Sequence, residues 1–160
     1  MIDSQGYRAN IGMIICSKEG RLLFARRIGV DDAWQFPQGG MKGKETCEEA
    51  LYRELLEETG LKPEHVKILG RTKDWLKYKL PKGYVRADCY PLCIGQKQIW
   101  FLLRFLGEDQ DIQLNLAKKP EFNEWRWVDY WLPAEQVIFF KQKVYRQALK
   151  ELEPLLENNH

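Results

Sequence analysis

Histidine is almost missing from this chain: there are two in 160 residues, and His160 is the last of them. A Ser/His/Asp triad and a histidine-built metal centre both need imidazoles at set places, so both are nearly excluded. Cysteine is sparse as well. Cys16, Cys47, Cys89 and Cys93 include no Cys-x-x-Cys pair. That spacing argues against a zinc ribbon or a dithiol redox motif and for reduced, mostly buried thiols. No run approaches the roughly 18 apolar residues of a membrane span. Met1 to Gly6 shows no apolar stretch of a secretory signal either. These absences predict a soluble, cytoplasmic protein with no membrane partner. Net charge is also nearly absent: 25 Lys and Arg against 23 Asp and Glu leave +2, which by itself points to no partner. Internal repeats, low-complexity tracts and Ser- or Pro-rich linkers are lacking. A length of 160 suits one domain spanning the chain, and 44% hydrophobic residues exclude a disordered chain.

What is present reads as strands interleaved with helices. Ile11 to Cys16 is short, apolar and isoleucine-rich, as a buried strand should be. Arg21 to Ala25 suits a second strand, with Lys18-Glu19-Gly20 as the turn between them. Gly39-Gly40 and Gly43 mark a loop. Glu45 to Thr59 has no Gly or Pro and is followed by Gly60, which predicts a helix with a glycine C-cap. Val66–Gly70, Val85–Ile94, Ile99–Leu106 and Glu124–Val128 are further strand candidates, Pro91 marking an edge or bulge. Val144, Tyr145, Ala148, Leu149 and Leu152 recur at helical spacing, and Pro154 should end or kink that helix. The pattern predicts an α/β or α+β fold with a mixed sheet.

The near-zero net charge conceals a separation. Residues 45–60 hold six Glu against one Arg, while residues 71–86 hold Arg71, Lys73, Lys77, Lys79, Lys82 and Arg86 against Asp74. The basic stretch is interleaved with Trp75, Tyr78 and Tyr84. Such a pair of segments suggests a metal site that meets a polyanion, although two solvated faces that balance each other have the same charge counts. The acidic helix is more specific. Glu54, Glu57 and Glu58 stand at i, i+3 and i+4, on one sector of the helix, where they repel one another. Leu51, Tyr52, Leu55 and Leu56 fill a neighbouring sector that can face a core. Oxygen-only ligands suit a hard cation, Mg²⁺ or Mn²⁺; a salt-bridged surface helix is the alternative reading of the same spacing. Arg53 has Glu49 four residues before it and Glu57 four after, and is placed to hold Glu57.

From Gly39 the chain reads Gly, five residues, Glu45, seven residues, Arg53-Glu54-Leu55, one residue, Glu57-Glu58, one residue, Gly60-Leu61. This resembles a complete Nudix box. The resemblance implies a Nudix hydrolase with an α/β/α sandwich around a mixed sheet. Such an enzyme cleaves phosphoric anhydride bonds with more than one divalent ion. Further segments extend the likeness. They are Gly6-Tyr7-Arg8, Trp34 to Gly40, Tyr78-Lys79-Leu80-Pro81, Gly95-Gln96-Lys97-Gln98, Glu121-Phe122 and Trp125-Arg126-Trp127-Val128. Together they resemble the bacterial RNA 5′-pyrophosphohydrolase branch, which is similar to dinucleoside polyphosphate hydrolases.

The resemblance implies Gly39 (through its carbonyl), Glu54, Glu57, Glu58 and Glu121 as metal ligands. It implies Glu57, Glu58, Glu121 and Arg53 as the catalytic group, Glu58 and Glu57 leading as general base. It implies Arg8 and Lys141 at the 5′-phosphates and Phe140 stacking on a base; Arg27, a further cation for phosphate, and Tyr78 and Gln96 of the shared segments complete the expected substrate-binding set. Phe139, by contrast, suits the core, and Trp125, Trp127, Tyr130 and Trp131 suit sheet and core packing. The implied activity converts 5′-triphosphate or 5′-diphosphate RNA ends to monophosphate, promoting RNA decay. A diadenosine polyphosphate hydrolase and a non-catalytic nucleotide- or RNA-binding domain are the alternatives; whether a protein activator takes part is not written in the sequence.

Overall fold

The computed structural model describes residues 2–30, 32–85 and 92–157. Its centre is a pair of long strands, β1 (Tyr7–Cys16) and β7 (Gly95–Phe105). They run parallel, from Tyr7 opposite Gly95 to Cys16 opposite Arg104, and the other ladders are antiparallel. Each long strand shares its outer edge between two shorter ones. Beside β1 lie β2 (Leu22–Arg27) and β4 (Gln38–Gly40). Beside β7 lie β5 (Val66–Arg71) and β6 (Leu76–Lys79). Strands β3 (Trp34–Gln35) and β8 (Phe122–Val128) then extend the sheet from β2.

Alternation along the strands divides the core in two. Ile11, Met13, Ile15, Ile99, Phe101 and Leu103 face one way and pack with Leu51 and Leu55 of helix α1 (Cys47–Thr59). Ile14, Phe24, Trp100 and Leu102 face the other way, against α2 (Leu132–Gln136) and Val144, Tyr145, Ala148 and Leu149 of α3 (Gln142–Glu157). The result is the α/β/α sandwich around a mixed sheet that the sequence implied. Trp100 lies flat against β1 where Gly12 offers no side chain; any Cβ there would overlap the indole. Tyr145 ties α3 to the sheet, its hydroxyl accepting a 3.0 Å hydrogen bond from the Phe36 amide.

Several boundaries differ from the sequence expectation. Both central strands begin earlier than their apolar runs, because the ladder continues through polar residues at the mouth of a cleft. Gln38–Gly40 is a strand rather than a loop: β1 leaves an edge free there, and glycines can pair along it. Helix α1 starts at Cys47, since Thr46 caps it and Glu45 stands outside. Leu56 is exposed, and Ala50 and Thr59 take the buried places beside Leu51 and Leu55. Helix α3 does not end at Pro154 but runs to Glu157; packing of Leu155 and Leu156 outweighs one lost backbone bond. Val85 and Leu92 to Ile94 are not strand, while Arg86, Cys89 and Pro91 lie outside the described residues. Cys16 is buried and Cys47 and Cys93 half-buried, all three free. Among the described residues no helix is long and apolar enough to cross a membrane.

Candidate active site

Helix α1 is held at both ends by its own sequence. Thr46 and Glu49 form a reciprocal capping box, and Gly60 closes the other end in the left-handed conformation at φ 75°. Leu51 and Leu55 fix its rotation against the sheet. That rotation buries Glu54 against β4 and leaves Glu58 half-buried beside Glu54 and Glu121. The last turn carries Glu57 and Glu58 and no basic residue. Carboxylates at a helix C-terminus lie at the negative end of the macrodipole, so this arrangement is electrostatically uphill without a cation.

Glu54 is only 5% exposed. It sits so close to β4 that any Cβ at Gly39 would fall on its carboxyl group, which is why glycine stands there. Burial pushes the Glu54 carboxyl up, against the pull of Arg53. Glu58 is raised further, to about 8, first by burial and then by the negative charges of Glu121 and Glu54. One of its oxygens, Oε2, is buried with no hydrogen-bond partner. Glu121 enters from the loop before β8, whose backbone is fixed by the Ile28 amide donating to the Glu121 carbonyl at 2.9 Å.

Arg53 is the hub beneath these carboxylates. It donates to Glu45 at 2.6 and 2.9 Å, to Glu54 at 2.6 Å and to the Gly40 carbonyl at 2.8 Å. Its contact with Glu57 is longer, 3.4 Å. The expected role is thus redistributed: Arg53 holds Glu45, Glu54 and the β4 backbone more than Glu57, and Glu49 serves the helix cap instead. The guanidinium keeps Glu45 well below the usual carboxylate range, at about 2.

Among the described residues, no three acidic, histidine or cysteine side chains already converge as a closed cation cage. The donor set nevertheless fits a hard divalent ion. It is all oxygen, mutually repulsive, partly buried, and holds an orphaned carboxylate oxygen in Glu58. Glu54 Oε2, Glu57, Glu58 and Glu121 are the groups that would hold it.

Of these carboxylates Glu121 lines a cleft of about 700 Å³ that opens between β4, β6 and the turn before α3, and Glu54 lies directly behind its Gly39; Glu57 and Glu58 are not in its lining. Gly39, Glu121, Arg8, Arg27, Tyr78, Gln96, Phe140 and Lys141 all line it, which brings these expected residues together in one place. Arg8 and Arg27 are exposed at its rim. Lys141 is deep, 8% exposed, with Nζ donating to Gln35 at 3.3 Å. Burial, helped by the charge of Arg27, brings its ammonium down to about 8. Tyr78 is buried, and desolvation raises its hydroxyl to about 12. Phe140 forms an aromatic wall with Tyr84 and Tyr78, ring centroids 4.9 and 5.8 Å away. Gln96 presents a buried, unpartnered Oε1.

Two expectations fail here. Phe139 is not core: it is 66% exposed, because a short 3-10 turn over Phe139–Lys141 sends neighbouring side chains to different sides. Trp131 is 41% exposed at the start of α2, whereas Trp125 and Trp127 do pack on the core. Sequence reasoning missed the cleft's amide floor. Gln98 donates to Asn10 at 2.9 Å and to Gln38 at 3.3 Å, clamping β4 to β1 and β7. Asn10 is 4% and Gln98 1% exposed. The available signal was a polar residue abutting each apolar strand core.

Comparison with known proteins agrees with this geometry. A model of the NUDIX domain matches residues 6–152. Proteins named RNA pyrophosphohydrolase from Thioalkalivibrio sulfidiphilus and Shewanella frigidimarina are 56% and 58% identical to this chain. The first match covers 98% of this chain and 90% of the relative; the second covers 94% and 87%. The solved dihydroneopterin triphosphate pyrophosphohydrolase of E. coli shares the fold, with a TM-score of 0.69 at 21% identity over 91% of this chain and 95% of that one. The helix that carries the paired carboxylates lies inside the matched region, and the match runs through both walls of the cleft: this chain belongs to the Nudix family.

Proposed function

We propose that residues 1–160 act as one Nudix domain that converts 5′-triphosphate or 5′-diphosphate RNA ends to monophosphate ends. The observation that carries this reading is the two-sided cleft. One side offers Glu121, with the Glu54 carboxyl packed behind Gly39; the other offers cations and an aromatic wall. The name RNA pyrophosphohydrolase on relatives above half identity supports the same substrate.

Nudix hydrolases need divalent ions, and here Mg²⁺, or Mn²⁺ in its place, would supply charge neutralisation of the phosphates and a more acidic water, with more than one ion bound. Glu54, Glu57, Glu58, Glu121 and the Gly39 carbonyl are the ligands in this reading. Arg53 keeps Glu54 in place through its 2.6 Å hydrogen bond. Glu58, whose buried Oε2 has no other partner, takes the proton of the attacking water, its carboxyl being ionised by the cation that it would help to hold. Glu57 is the other candidate for that proton. Arg8, Arg27 and Lys141 hold phosphate oxygens, and Tyr78 and Gln96 shape the deep end of the cleft. Phe140 stacks on a base that follows the reacting end.

The test is a side-by-side assay of the purified chain on 5′-triphosphorylated RNA and on a diadenosine polyphosphate. Each is run with Mg²⁺ and with a chelator. We expect a higher kcat/KM on the RNA and no turnover in chelator. Preference for the dinucleotide, or full activity in chelator, would overturn this reading.

A further inference from the structure

The basic stretch of residues 71–86 is only partly used by the cleft. Tyr78, Leu80 and Tyr84 line it. Lys77 and Lys79 alternate with Tyr78 along β6, so they project from the opposite face of the sheet. There Lys77 stands directly across the ladder from Lys97 of β7. Two like charges at opposed positions destabilise a sheet. The local relief is incomplete: Asp3 reaches Lys97 at 3.1 Å, while Lys77 has the neutral Gln5 amide at 3.3 Å. Each ammonium also lies against an aromatic ring. Lys97 Nζ is 5.2 Å from the Trp75 ring centroid and Lys77 Nζ is 5.1 Å from that of Tyr7. Trp75 remains 37% exposed.

We propose that Trp75, Lys77, Lys97 and Tyr7 form a second binding strip for single-stranded RNA, separate from the cleft and holding nucleotides downstream of the reacting end. The inference rests on the RNA reading of the cleft. Cations interleaved with aromatic faces are what an unstacked strand requires: the charge follows the phosphates and the rings accept bases of any sequence. Phosphate placed between Lys77 and Lys97 removes their mutual repulsion. Continuity decides for RNA over an acidic protein. Among the described residues β6 pairs only with β7; one of its faces borders the cleft and the other carries the lysines, so a strand leaving past Tyr84 meets them after turning one edge.

The strip is tested with RNA that has no 5′ phosphate and is about twelve nucleotides long, a length within the usual reach of single-strand grooves. Binding is followed over a salt series in chelator, for the wild type, Lys77→Gln/Lys97→Gln and Trp75→Ala. We expect the slope of log affinity against log salt to fall by about 0.7 for each lysine removed. Trp75→Ala should weaken binding about fivefold or more. Hydrolysis of a 5′-triphosphorylated trinucleotide in Mg²⁺ should stay unchanged in all variants. Wild-type affinity in both variants overturns the strip, as does an equal loss on the trinucleotide, which would mean a structural role. Binding of an acidic peptide in place of the RNA also overturns it. A strip that binds in a chain inert towards triphosphorylated RNA would support the strip and refute the proposed function.

Discussion

Lys141 and Phe140 stand side by side on one turn, yet they do opposite things. Lys141 faces the cleft floor with an ammonium at about 8, lowered first by burial. Because its folded value lies below that of an unfolded lysine, its charge costs the fold stability below about pH 8, and that cost is relieved as pH rises toward the ordinary lysine range. Phosphate binding has the opposite dependence, since it needs the charged form. Affinity for 5′-triphosphorylated RNA should therefore fall by up to about tenfold per pH unit above pH 8, while Lys141→Arg gives a shallower profile because guanidinium stays charged and Glu58 alone then ionises in this range. Titrating the dissociation constant from pH 7 to pH 10 for both proteins reads this out; parallel curves would remove Lys141 from the phosphate site. Phe140, half-buried beside Tyr84, supplies stacking instead. Phe140→Ala should lower kcat/KM on triphosphorylated RNA by about tenfold and leave cleavage of a nucleoside triphosphate much less changed. An equal loss on both substrates, with circular dichroism unaltered, would make the ring core.

Helix α1 and strand β4 form the site as a pair, and neither suffices alone. Glu54 is buried against Gly39, and Arg53 bridges Glu54, Glu45 and the Gly40 carbonyl. Gly39→Ala should therefore displace Glu54 and reduce hydrolysis by at least about tenfold. Gly40→Ala, whose added Cβ would meet only the Ala9 carbonyl at 3.9 Å, should cost far less. Similar rates for the two variants would contradict the contact. The spacing of glutamates, the apolar periodicity of Leu51 and Leu55 and the glycine at position 60 made this helix legible from the chain alone. Strand β4 was not legible. Three residues with two glycines look like a loop unless the free edge of β1 is known, and that edge is a tertiary fact. The exposure of Phe139 was hidden for a similar reason: the phase of a single 3-10 turn has no repeat in sequence to reveal it. Arg53 was identified but with one partner overstated, because i+4 spacing brings side chains near each other and does not say which carboxylate is reached first.

The molecule as a whole gathers two chemistries around one end of the sheet. Helix α1 rests on one sheet face, α3 and its preceding turn rest on the other, and the cleft forms at the sheet end, where β1 and β7 exchange partners. The carboxylates should thus govern turnover and the basic, aromatic wall should govern RNA affinity. The most direct test is Glu58→Gln, which preserves shape but removes the carboxylate of highest pKa. Single-turnover rate and dissociation constant are measured on the same 5′-triphosphorylated RNA at the same Mg²⁺ concentration. A loss of at least about a hundredfold in rate, with affinity within about threefold of wild type, is the expected result. Near wild-type turnover would contradict the assignment of the carboxylates to the chemistry.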